Sequence, residues 1–220
     1  MQITPAVRMG LSVSVATGLY GISFGALGIA AGLSVLQTQA LSALMFTGGS
    51  QFAFVGAIAG GGAPALVSAS LLGIRNLIYG AQMNAAFAPR GLTRLLQAHV
   101  TIDESVATSV AQDIADEQRR GFWSAGLGVF ILWNLFTLLG AVLGNALGDP
   151  KTWGLDGAAV AAFLGLLWPR LHNRDTVAIA VASAFVTLLL VPVLAPGLPL
   201  LAAAAVAAGM SLWLGRRATR

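Results

Sequence analysis

Between Arg8 and Arg90 the chain runs eighty-one residues with one formal charge, Arg75. An apolar run of roughly 18 residues is enough for a membrane-spanning helix, and this stretch has room for three. An arginine inside the third of them costs several kcal/mol on insertion scales, so it faces a cavity or a partner. The pattern therefore calls for a membrane protein with a polar pathway.

Composition agrees. Of 220 residues, 57% are hydrophobic and 9% charged, where soluble domains carry roughly a quarter charged residues. The 27 glycines suit helices packed closely in lipid. The net charge of +4 is not a nucleic-acid signal, because the arginines cluster at the ends of apolar runs. With no cysteine, disulfides, thiolate metal sites and thiol nucleophiles are excluded. The N-terminus lacks a basic region, short apolar core and small-residue cleavage site, so the first span is expected to be retained.

The run lengths predict an all-α polytopic protein of seven spans, a single transmembrane domain over residues 1–220. The spans are about Leu11–Leu33, Ala40–Gly60, Pro64–Ala88, Phe122–Leu147, a short one within Gly157–Trp168, Thr176–Leu194 and Leu198–Leu214. Gly60-Gly61-Gly62 separates the second from the third. Arginine placement orients them. Arg90, Arg94, Arg119, Arg120, Arg170, Arg174, Arg216, Arg217 and Arg220 would share one side, leaving Arg8 and Lys151 on the other. The positive-inside rule then sets the C-terminus in the cytoplasm and the N-terminus outside.

Between the third and fourth spans lies a polar segment, 90–120, with a stripe formed by Leu92, Leu96, His99, Ile102, Val106, Val110 and Ile114. It reads as an amphipathic helix at the cytoplasmic interface, and Thr101 with Glu104 has the spacing of a capping box. Glycines at 18, 21, 25, 28 and 32 of the first span and at 140, 144 and 148 of the fourth suggest an internal repeat. Units 11–88 and 122–194 would form a 3+3 inverted repeat plus one helix, an arrangement common in secondary transporters.

Several residues could carry a transport site. Thr47, Gly48, Gly49, Ser50 and Gln51 lie midway along the second span. Two glycines among hydrogen-bonding side chains favour an unwound turn, which a membrane permits where backbone lines a cavity. Arg75, Asn76 and Tyr79 follow in the third span; a buried guanidinium can hold a carboxylate bidentately or bond the carbonyls of a broken helix. Asn134 lies mid-way along the fourth span, and Phe163 would add an apolar wall in the fifth. Asp103 and Glu104 either cap a helix or couple transport to protons. No paired histidines, nucleophile elbow or paired intramembrane carboxylates point to an enzyme, a metal or a cofactor. A channel-like pore is the alternative, with an intramembrane enzyme behind it.

Taken in order, Phe24-Gly25-Ala26-Leu27, Phe46-Thr47-Gly48-Gly49-Ser50-Gln51-Phe52 and Arg75-Asn76-Leu77-Ile78-Tyr79-Gly80 form a distinctive series. Thr101-Ile102-Asp103-Glu104-Ser105, Trp133-Asn134-Leu135, Gly154-Leu155-Asp156 and Ala161-Ala162-Phe163-Leu164-Gly165 continue it. The chain resembles the AzlC family, the large permease subunits of bacterial branched-chain amino acid exporters of the LIV-E type. The resemblance implies secondary export of branched-chain amino acids, and of methionine as a further substrate, across the plasma membrane. It also implies a small AzlD-type membrane subunit as partner.

Overall fold

The computed structural model describes residues 3–147, 171–194 and 198–218, with Leu164, Leu167 and Trp168. Among the described residues every regular element is helical. They are α1 (Pro5–Ala30), α2 (Val35–Leu44), α3 (Gly49–Gly56), α4 (Gly62–Phe87), α5 (Gly91–His99), α6 (Asp103–Val110), α7 (Ala115–Leu147), α8 (Arg174–Leu190) and α9 (Leu198–Ala218). A π-helical turn, Ala57–Gly61, leads α3 into α4. Three helices, Pro5–Ala30, Ala115–Ala146 and Leu198–Arg216, are long and apolar enough to cross a membrane.

The central pair is α1 and α7. Pro5 starts α1, where its missing N–H costs nothing. Gly32, at φ +90, ends it by letting the Leu33 N–H reach back to the Gly28 carbonyl. Along the pair, glycines remove the side chains that would hold the backbones apart. Gly10 meets Ser124, Gly18 meets Leu132, and Gly25 meets the Thr137 carbonyl; from the other helix, Gly140 meets Ile22. A methyl group at Gly25 or Gly140 would overlap backbone atoms of the partner helix. The glycine rows that suggested a repeat thus form an interface between the first and fourth spans.

These contacts ascend together along both chains, so α1 and α7 run parallel. Three-span units in opposite orientations would set them antiparallel. The inverted relation between 11–88 and 122–194 is therefore corrected, and the physical reason lies in the segment between them. Starting at the upper end, where Thr38 meets Gly28, α2 descends only to Leu44. The helix breaks at Met45–Gly48 and α3 turns back, setting Phe54 and Ile58 beside Leu41 and Gln37. Only α4 then returns the chain to the lower end, packing beside α3 with Gly73 near Ser50. At its foot the rings of Phe87 and Phe122 lie 5.5 Å apart.

Segment 90–120 also departs from the expected single interfacial helix. It forms a second half-helix hairpin, with α5 rising from the lower end and α6 descending against α1 and α7. Ile102 and Val106 of the expected stripe are buried, while Leu92, Leu96, Val110 and Ile114 are exposed. Gly121 and Gly126 of α7 admit this hairpin by facing Thr108 and Val100. The capping box is replaced: Ile102 occupies the N-cap, and Ser105 Oγ accepts its N–H at 3.0 Å. Thr101 instead donates to the Gln97 carbonyl at 2.6 Å.

The amide of Gln112 reaches Met9 near the start of α1. Arg8 therefore lies at the same end of the bundle as Arg90, Arg119 and Arg120, which corrects its expected place on the opposite side. Peripheral to this core, α8 and α9 pack as a hairpin, with the Ser183 hydroxyl donating to the Ala203 carbonyl at 3.4 Å.

Candidate functional site

The two hairpins enter from opposite ends and their tips meet beside α1 and α7. Phe46 and His99, one from each tip, have ring centroids 6.1 Å apart, and both rings contact Phe130. Phe24, Phe52 and Trp133 stack around the junction at 5.5–6.0 Å, with Ile102 completing the cluster.

Local chemistry shapes the first tip. Gly48 adopts φ +67, ψ −108, a conformation that disfavours any side chain. Gln51 is buried and fastens the hairpin: its Oε1 accepts the Gly48 N–H at 3.1 Å, and its Nε2 donates to the Leu41 carbonyl at 3.1 Å. The Ser50 hydroxyl donates to that of Thr47. These bonds satisfy a chain that has left its helix inside the protein, the condition for irregular backbone at membrane depth.

Arg75 joins the two tips. One guanidinium nitrogen pairs with Asp103 at 2.7 Å and another donates to the Thr47 carbonyl at 3.4 Å. The stronger of the two contacts is the ion pair, and the bond to the broken-helix carbonyl is the longer one. Polar demand remains here. Among the described residues six buried side-chain polar atoms lack a partner, and three belong to Arg75, Asp103 and Trp133 at this junction. Buried polar atoms are rarely left unpaired, so their concentration marks a place for a ligand or water.

A cavity of about 20 Å³, room for one water, lies between the tips. Gly48, Gly49, Asp103 and Glu104 line it, joined by Thr17 and Tyr20 of α1, Phe52 and Trp133. The Thr17 hydroxyl donates to Glu104 at 3.5 Å. A larger, open cavity of about 460 Å³ lies between α4 and α5, lined by Asn76, Asn84, Arg94, Gln97 and Thr101 among others.

The expected site residues thus divide. Gly48, Gly49, Asp103 and Glu104 surround the central cavity, while Thr47, Ser50, Gln51 and Arg75 build its frame. Asn76 belongs to the outer vestibule, and Tyr79 packs on the cluster of Met83, Val106 and Phe122. Asn134 does not reach the cavity: it donates to the Phe130 carbonyl at 2.8 Å and accepts from Gln39 at 3.1 Å, tying α2 to α7. Phe163 lies outside the described residues. Trp133, Thr17 and Tyr20 are additions. An indole midway along a span, away from the interfacial belt, was the available signal for Trp133.

A family model described as AzlC protein matches residues 12–147. The chain belongs to the AzlC family. The match spans both half-helix hairpins and closes with α7, so the junction falls wholly within the part that defines an AzlC protein. Membership makes this a membrane protein with a transport-related function. No curated protein and no solved structure matches the chain.

Proposed function

We propose that this AzlC protein is a secondary transporter of the plasma membrane that exports branched-chain amino acids, with methionine as a further substrate, without altering them chemically. The meeting of two half-helix hairpins at a narrow cavity that two carboxylates and an indole share carries the reading. Discontinuous helices whose N-termini face a midplane site are the usual architecture for anionic groups and ions in secondary transporters. The open vestibule between α4 and α5 admits substrate, and the tips separate to receive it. Phe24, Phe46 and Phe52 supply apolar surface for a branched side chain. Arg75 and Asp103 act as a latch between the tips, because their pairing at 2.7 Å holds both hairpins in place.

Arg8 lies with Arg90, Arg94, Arg119 and Arg120 at the lower end, so that end faces the cytoplasm by the positive-inside rule. On this reading the N-terminus and the vestibule open to the cytoplasm, and by the same rule Arg216 and Arg217 favour that side for the C-terminus. A small AzlD-type membrane subunit covers part of the apolar exterior, where Val181, Phe185 and Leu188 of α8 are exposed. Export from cells loaded with leucine-containing peptides, with and without the small subunit, tests the reading. Saturable efflux of unmodified leucine that needs both proteins is expected. Unsaturable flux, a chemically changed product, or full efflux by this chain alone would contradict it.

A further inference from the structure

The two hairpin tips share one register. Setting the N-cap Gly48 of α3 on the N-cap Ile102 of α6 places Phe46-Thr47 on Val100-Thr101, and Phe52-Ala53 on Val106-Ala107. In both, the third helical residue folds back to the N-cap amide: Gln51 onto Gly48, Ser105 onto Ile102. The flanking elements agree, since α1 and α4 are each 26 residues long and α3 and α6 each eight. The correspondence runs from α1–α3 to α4–α6.

Against that likeness the first helical turns differ in charge. The first carries Gly49-Ser50 where the second carries Asp103-Glu104. Two helix N-termini thus share one cavity, one uncharged and presenting only backbone and hydroxyl, the other bearing two carboxylates. Asp103 is engaged by Arg75. Glu104 has no such guanidinium partner at ion-pair distance: the Thr17 hydroxyl donates to it at the long distance of 3.5 Å, and the backbone amide of its own residue also bonds its carboxylate. Trp133 is 3% exposed, lines the same cavity, and its indole N–H has no partner.

We infer that the cavity, which holds no more than a water while the tips are together, binds the two charged ends of an amino acid zwitterion separately once the tips part: Glu104 holds the α-ammonium group, and the N-terminus of α3 with the Trp133 indole N–H holds the α-carboxylate. The inference rests on the transport reading above but concerns the ends common to all amino acids, not the side chain. It makes Glu104 the residue that separates an amino acid from the 2-oxo acid of the same skeleton. Without an ammonium group, a bound oxo acid would leave that carboxylate facing a carbonyl oxygen.

The test uses the full chain in membrane vesicles with the small subunit co-expressed. Binding is measured for leucine, methionine, phenylalanine and alanine, each paired with its 2-oxo acid. The native protein should prefer the amino acid in every pair, roughly tenfold or more, the scale of a lost charged hydrogen bond. Glu104→Gln should erase that preference while oxo-acid binding holds or improves; Glu104→Asp should restore part of it. Trp133→Phe, which keeps the ring but not the donor, should weaken both members of each pair alike. Equal loss of both members in Glu104→Gln, or an unchanged preference, would overturn the inference. A preference for the amino acid whatever the side chain, with no favour for leucine, would uphold it and contradict the proposed substrate instead.

Discussion

At the residue scale, Arg75 and Gly48 carry the clearest consequences. The Arg75–Asp103 pair is partly shielded, at 27% and 17% side-chain exposure. Removing one partner of a buried pair costs about 3–5 kcal/mol, and residual exposure sets this pair toward the lower end. Arg75→Ala should therefore lower thermal stability and yield, and Arg75→Ala with Asp103→Ala should recover part of the loss. A double variant as unstable as the sum of the singles would remove the pair from the account. Arg75→Lys keeps the charge but not the fork that also reaches Thr47, so it should fold better than Arg75→Ala and export less than the native chain. At Gly48 any side chain must adopt φ +67 with ψ −108, a strain of about 1–3 kcal/mol. Gly48→Ala should show that loss in thermal unfolding, although no neighbour lies within 4 Å of the added methyl. The sequence disclosed Thr47–Gln51 as a break because glycine pairs among polar groups are costly inside a helix. It could not disclose that Gln51 and Ser50 are consumed in holding that break, since their partners Leu41 and Thr47 are ordinary neighbours in the text.

Among elements, the α1–α7 interface decides whether the fold forms. Gly25→Val or Gly140→Val should abolish assembled protein, because the partner backbone occupies the space. Gly209→Ala in α9 meets nothing within 4 Å and should be neutral or slightly stabilising, Ala being the better helix former by about 1 kcal/mol. Size-exclusion profiles of the detergent-solubilised variants separate the two classes; a monodisperse Gly140→Val would contradict the seam. The glycine periodicity marked both helices, but it suggested a repeat between them and not their contact. The half-helices were harder. α2 and α3 together fill the length of one span, as do α5 and α6 with their turn, so hydropathy cannot tell a crossing from an entry and return. For α5 and α6 the apolar stripe was real at Ile102 and Val106, but its continuation through Leu96 and Val110 belongs to exposed faces of two separate helices. A stripe that runs across a chain reversal mimics one longer helix.

For the whole molecule, the parallel pairing of α1 and α7 fixes which segments share an end. Single cysteines at Ile3 and Ala111, both exposed, should be labelled from the same side of the membrane, which the cysteine-free chain makes simple to read. Labelling from opposite sides would restore the arrangement expected from span counting. The wider claim is that two half-helix hairpins from opposite ends meet at one site and must separate for transport. Its most direct measurement is a cross-link between the tips. Cysteines replacing Phe46 and His99, whose rings lie 6.1 Å apart, should be joined in intact membranes by a short, cleavable bifunctional thiol reagent. Leucine export should stop in the joined protein and return when the link is cleaved, with either single cysteine variant unaffected by the reagent. Two reactive cysteines that never join, or a joined protein that exports as before, would contradict the account.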